Sequence, residues 1–375
     1  MLFKNALLFT ADARFVKGAF TVEGGRFARV LDCVPEEEGF DLAGATVIPG
    51  LVDVHVHGNS GADFSDGDYE GLVKMASYLA KSGVTSFAPA SMTLPYADLR
   101  RAFASAARLR EERPAGAARL MGIQMEGPFF SEKKKGAQNG AYLRLPDFEA
   151  FKALYDGCGG LIRIADVAPE LEGAEEFIQN ASRLCTVSVA HTDADYEAAH
   201  MAFEAGARHL THLFNAMPAL HHRKPGVIGA AAEREDVVAE LICDGLHVHP
   251  SSVRAAFRLF PGRICLVSDA LRCCGMPDGP YMLGGQEVYL KGRIATLADG
   301  TIAGSASTLY DCLLNAVSFG IPREEAILSA TLIPARELGR ESEIGSIEPG
   351  KLADFVVCDE ALRPRAVYLG GEKVE

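Results

Sequence analysis

LVDVHVHG, residues 51–58, is an apolar run of strand length that ends in two imidazoles and a glycine. Seven further runs of this texture follow: VTSFAPA (84–90), LMGIQME (120–126), LIRIADV (161–167), TVSVAH (186–191), HLTH (209–212), VAELICD (238–244) and ICLVSDA (264–270). Between them lie longer segments of helical periodicity, such as DYEGLVKMASYLAKSG and ADLRRAFASAARLREER. Several of these close on glycine, a common helix terminator. Runs that are apolar on both faces suit a parallel sheet covered by helices. Eight of them predict a (β/α)8 TIM-like barrel. A doubly wound open sheet shares the alternation and is the alternative.

Outward from the barrel, both ends of the chain read as short strands. Residues 19–31 alternate around Gly24–Gly25, a hairpin signal. After Pro349–Gly350, LADFVVCD and AVYLGGEKV show the same texture. Each piece alone is too small to bury a core. The expectation is one small β-sandwich domain assembled from 1–49 and 335–375, with the barrel over 50–334. The stretch 281–303 breaks the alternation and reads as a hairpin-rich insertion, and 306–319 as the last barrel helix.

The chain has 375 residues, of which 48% are hydrophobic and 23% charged, so it has ordinary globular usage and can bury a large core. Its net charge of −13 disfavours broad binding to nucleic acid or anionic membranes, so neither is an expected partner. An anionic ligand would need a local basic pocket. The nine cysteines form no CxxC pair and read as reduced thiols of a cytoplasmic protein. No signal peptide is read at the start, and no apolar run approaches the length that spans a bilayer.

The chemistry lies where the runs end. His55 and His57 close the first, Glu126 the third, His191 the fifth, His212 the sixth and Asp269 the eighth. In a barrel the carboxyl ends of all strands converge on one face, where catalytic groups sit. Alternating side chains place His55 and His57 on one side of their strand, able to grip one divalent ion. Glu126 sits in the apolar MEGPFF, where an unpaired carboxylate would cost several kcal/mol. Either a lysine among Lys133–Lys135 neutralises it, or it bridges cations. His191 or His212 alone reads equally as a satisfied core histidine, and Asp269 alone as a helix cap. Six such groups at strand ends argue jointly for a metal centre. Four histidines with two carboxylates suit one or two divalent ions of the Zn, Fe or Mn kind.

PGLVDVHVHG, GIQMEGPFF, VAHTDADY, THLFNAMP, GLHV and VSDA, in that order, resemble the amidohydrolase superfamily. More narrowly they resemble its N-acetylglucosamine-6-phosphate deacetylase family. EGPF, HLFNAMP followed by RKPG, and DGLHV are the specific motifs. The resemblance implies that Glu126, His191 and His212 hold one metal and that His55 and His57 complete a second site. Asp269 would be the general base. Asn215 and Ala216 through backbone amides, with Arg223, would hold a sugar phosphate. His247 and Leu309 would contact substrate. Arg223 and His247 would reach in from a neighbouring subunit of a homodimer. The implied reaction, in amino-sugar catabolism, removes the acetyl group of N-acetyl-D-glucosamine 6-phosphate. Gln138 departs from several relatives that place His there, and it would face the substrate amide.

The residues are compatible with amide hydrolysis without a serine or cysteine nucleophile; Cys243 is the thiol nearest the expected mouth. His221, His222, Arg223 and Lys224 form a dense cationic run that is either a solvated loop or an anion site. The galactosamine epimer is a close alternative substrate. A cyclic-amide hydrolase or deaminase is less favoured, because Glu126 stands where those relatives often carry a carboxylated lysine. A non-catalytic sugar-phosphate-binding metalloprotein would have no need of Asp269.

Overall fold

The computed structural model describes residues 1–375. Its centre is a closed ring of eight parallel strands: β1 (Leu51–Val56), β2 (Val84–Pro89), β3 (Ile123–Met125), β4 (Ile162–Val167), β5 (Thr186–Val189), β6 (His209–Leu210), β7 (Val238–Ile242) and β8 (Ile264–Val267). β1 pairs with β2, and β3 to β8 pair in sequence. Two single bridges complete the circle, Ala90 to Gln124 between β2 and β3, and Val56 to Ala270 between β1 and β8. The ring excludes the open-sheet alternative. Consecutive strands are parallel because a helical crossover returns the chain to the same end each time. Asp68, Asp147 and Asp195 each cap such a helix, accepting backbone N–H bonds in the first turn.

The two ends of the chain share one eight-stranded sheet. Strand Phe355–Cys358 lies between Thr46–Pro49 and Pro364–Leu369. Its core is aromatic: Phe355 stacks on Tyr368 at 4.5 Å, and Phe3 on Phe20 at 5.0 Å. Gly24 and Gly25 both have positive φ, 57° and 75°, as a tight two-residue turn matched to strand twist requires. The 281–303 stretch forms three antiparallel strands, Gly279–Leu283, Gln286–Lys291 and Ile294–Thr296.

Two boundaries differ from the sequence reading. The last barrel helix begins at Leu309, and two more helices come after it, Arg323–Ala330 and Leu332–Glu337. The second of these straddles residue 335 and belongs to the barrel, since Ile333, Ala335 and Leu338 pack with Val52, Ile242 and Val267. Apolar burial beneath the barrel outweighs the strand-like texture of the C-terminal residues beyond it. No helix is long and apolar enough to cross a membrane.

Candidate active site at the barrel mouth

Five of the eight strand ends deliver side chains to a common point, the first of them two. Glu126 is its centre. Oε1 lies 3.1 Å from His191 Nε2, 3.3 Å from His212 Nε2 and 3.6 Å from His55 Nε2, while Oε2 lies 3.3 Å from His57 Nε2. Asp269 Oδ1 stands 3.3 Å from His57 Nε2 and 3.7 Å from His55 Nε2. All six expected residues therefore meet, although they span more than two hundred positions. The lysines do not neutralise Glu126: Lys133 pairs with Asp193 instead. Asp269 caps no helix.

The backbone is bent to achieve this. His191, His212, Phe214, Ala216 and Asp269 have positive φ between 32° and 78°. These five are nearly half of the eleven non-glycine residues in that region of backbone space. Such conformations cost on the order of 1 kcal/mol or more each and persist where the surroundings impose them.

The donor set fits a divalent metal. His57 Nδ1 donates to the Ala90 carbonyl at 3.1 Å, and His191 Nδ1 to the Lys134 carbonyl at 2.8 Å. A carbonyl only accepts, so in neutral rings the proton sits on Nδ1 and the Nε2 lone pair points inward. Nε2 atoms then lie 3.4 Å apart in the His55–His57 pair and 3.2 Å apart in the His191–His212 pair. Lone pairs that close need a cation between them. Two triads offer it, His55–His57–Glu126 and Glu126–His191–His212.

The carboxylates and imidazoles also shift one another's titration. Burial works to lower the His55 pKa, but Glu240, Asp269 and Glu126 raise it to about 10. Burial likewise opposes charge on Glu126, yet bonds from His191, His212 and His57 hold its carboxyl well below the usual range. Asp269 is also held down, by His55 and His57 against the effect of burial.

Sequence reasoning missed the layer beneath. Glu240, fully buried in β7, takes His55 Nδ1 at 2.9 Å on one oxygen and His209 Nε2 at 3.0 Å on the other. His209 Nδ1 reaches Glu337 at 2.7 Å. The available signal was a glutamate in the middle of the apolar run VAELICD.

Above the metal triads is an open cavity of about 230 Å³. Gln138 lines it, its amide donating to Glu126 Oε2 at 2.6 Å and its carbonyl oxygen accepting from Thr93 N–H at 2.7 Å. Asn215 and Ala216 line it too. The Asn215 N–H is already bonded to the His212 carbonyl, which leaves the Ala216 N–H as the free backbone donor.

Of three further expected contacts, His247 alone reaches the cavity. His247 lines the cavity of its own chain, because Asp244 accepts its Nδ1–H at 2.8 Å and folds the loop over the mouth. Leu309 is fully buried in the helical core, where its apolar side chain gains most, and does not line the cavity. Arg223 lies on an exposed loop off the cavity wall, bonded to His222. Cys243 is buried, its thiol pushed up to about 12 by burial, and is no nucleophile.

Two metal-capable triads at the mouth of an eight-stranded barrel narrow the field, and the amidohydrolase family profile matches residues 46–374. The chain belongs to the amidohydrolase family. It is 36% identical over 367 residues to an N-acetylglucosamine-6-phosphate deacetylase of Bacillus subtilis (strain 168), covering 95% of this chain and 92% of that one. It is 35% identical over 326 residues to an N-acetylgalactosamine-6-phosphate deacetylase of Escherichia coli O157:H7, covering 86% of each. Among solved structures, it superposes on an Asp-to-Ala variant of the N-acetyl-D-glucosamine-6-phosphate deacetylase of Mycobacterium smegmatis, in complex with N-acetyl-D-glucosamine-6-phosphate. There the TM-score is 0.93 at 32% identity, covering 100% of this chain and 99% of that one. This amidohydrolase thus keeps, along its whole length, the architecture of enzymes named for removing acetyl groups from amino-sugar phosphates.

Proposed function

We propose that this amidohydrolase hydrolyses the acetamide of N-acetyl-D-glucosamine 6-phosphate to D-glucosamine 6-phosphate and acetate. The observation that carries the reading is Glu126 ringed by histidine Nε2 atoms, with the ionised Asp269 on the far side of His57. Glu126, His191 and His212 would hold one ion of the Zn, Fe or Mn kind, and His55 and His57 with Glu126 a second. When bound, the metal supplies a Lewis acid for the amide carbonyl and lowers the pKa of water.

The chain's own residues do the rest. Asp269, kept anionic by His55 and His57, takes a proton from the attacking water. The water oxygen forms the new C–O bond, the C–N bond breaks, and Asp269 returns the proton to the departing nitrogen. Gln138 fixes Glu126 and presents its amide to the cavity. The free Ala216 N–H supports a phosphate at that end. A forked Arg223 contact requires a second subunit, because the loop sits away from its own cavity; a homodimer completes this reading. Nine free thiols suit a cytoplasmic location.

The galactosamine epimer remains a second reading, because a relative named for it is 35% identical. Acetate release from a panel of N-acetylated hexosamine phosphates, with metal content measured on the same preparation, tests the proposal. The glucosamine compound is expected to give the highest kcat/KM. No acetate from any member would refute the reaction class.

A further inference from the structure

At the pole opposite the mouth, the barrel meets the terminal sheet across a cleft of about 140 Å³. Four arginines line it: Arg26 from the terminal sheet, Arg110 and Arg113 from the end of helix Tyr96–Glu112, and Arg119 from the strand after that helix. Glu343 is the one acid on its wall, and it already pairs with Arg340 at 2.9 Å. Arg119 is satisfied by Asp354, with bonds of 2.8 and 3.2 Å. Arg26, Arg110 and Arg113 have no carboxylate partner. They bond only to carbonyls and a thioether: Arg26 to Gly350, Arg110 to Leu120 and Met121 Sδ, Arg113 to Arg110.

Guanidiniums gathered without a carboxylate repel one another, and here they do so in a chain of net charge −13 where acids are plentiful. Arg110 is half-buried, and burial together with the charge of Arg340 behind it pulls its pKa below the usual arginine range. The Nε atoms of Arg163 and Arg340, whose charges also bear on Arg110, are buried with no hydrogen-bond partner. A helix C-terminus accounts for one cation beside it. It does not account for unpaired guanidiniums brought together from two parts of the fold. What is missing is negative charge.

We infer that this cleft binds a phosphate group, free or as a phosphomonoester, between Arg26, Arg110 and Arg113. Guanidiniums offer forked donors matched to phosphate oxygens. Size restricts the ligand. The cleft has room for one tetrahedral anion beside the arginines, with anything larger projecting into solvent. Because its partners come from both the barrel and the terminal sheet, the anion would tie the two together and stabilise the folded state in proportion to its occupancy.

The test uses the full chain and inorganic phosphate. Wild type and the R26Q/R113Q variant are compared by thermal shift and calorimetric titration, and wild-type crystals are soaked in phosphate. Both substituted residues are exposed and distant from the mouth, so the variant should fold and retain kcat. Expected are phosphate density among the three arginines, a Tm that rises with phosphate, and affinity at this site about tenfold weaker in the variant. Equal phosphate responses in the two proteins would overturn the inference. So would phosphate found only at the mouth, or density in soaked crystals without any effect in solution.

Discussion

The barrel mouth and the terminal sheet are built on opposite principles. The mouth collects four histidines and two carboxylates, buries them, and holds five residues in left-handed backbone. The terminal sheet stacks Phe3, Phe20, Phe355 and Tyr368 on one another in an apolar core. One region gives up stability to position reactive atoms; the other supplies it. Substitutions in the mouth should therefore cost activity more than stability, and substitutions in the sheet the reverse.

Asp269→Asn gives the sharpest version of that contrast. It should lower kcat by about 10²- to 10⁴-fold while leaving metal content and Tm nearly unchanged, read by acetate release, metal analysis and calorimetry. A folded, metal-loaded variant with normal turnover would end the assignment. Phe355→Ala is the mirror image. Its ring is fully buried, so unfolding in urea should show a loss of about 3–5 kcal/mol, with kcat of the remaining folded enzyme intact. A collapse of kcat there would show that the two regions are not separable.

Beneath the mouth runs the chain His55–Glu240–His209–Glu337, and His209 in it titrates with a definite sign. Burial acts to lower the His209 pKa, but Glu240 and Glu337 raise it to about 10. A raised histidine contributes stability that is complete below its unfolded pKa of about 6.5 and is lost as pH climbs through the folded value. Denaturant unfolding should thus show stability falling by on the order of 2 kcal/mol between pH 7 and 9, with that slope reduced in His209→Gln. A flat profile in wild type would exclude the charged pair. Glu240→Gln should weaken metal affinity by about 10- to 100-fold in competition with a chelator, through loss of the group that orients His55. The smallest effect is expected from Gln138→Ala, about tenfold in kcat/KM; unchanged kcat and KM would remove that residue from the mechanism.

The fold and the mouth were legible because both are written in strand ends. Eight apolar runs give the barrel, and imidazole or carboxylate at their carboxyl ends gives the site, since the topology sends every such end to the same face. The illegible parts depend on which side chains meet in three dimensions. Glu240 looks like one more residue of an apolar strand until its two imidazole partners are seen. Leu309 lies elsewhere than its motif suggests because burial in the helical core, not visible in a motif, decides where that side chain goes. The helix Leu332–Glu337 crosses the expected domain boundary because its apolar face fits the barrel floor, a match of shapes and not of composition.

The position of strand Phe355–Cys358 between Thr46–Pro49 and Pro364–Leu369 has a consequence for biosynthesis. The strands before residue 50 cannot finish their sheet until translation has passed residue 369. Throughout that interval Phe3 and Phe20 lack the rings that later cover them, so the nascent protein carries a sticky, unpaired edge for most of its synthesis. Holdase chaperones have a natural target there, and slowing translation late in the message should raise aggregation more than slowing it early.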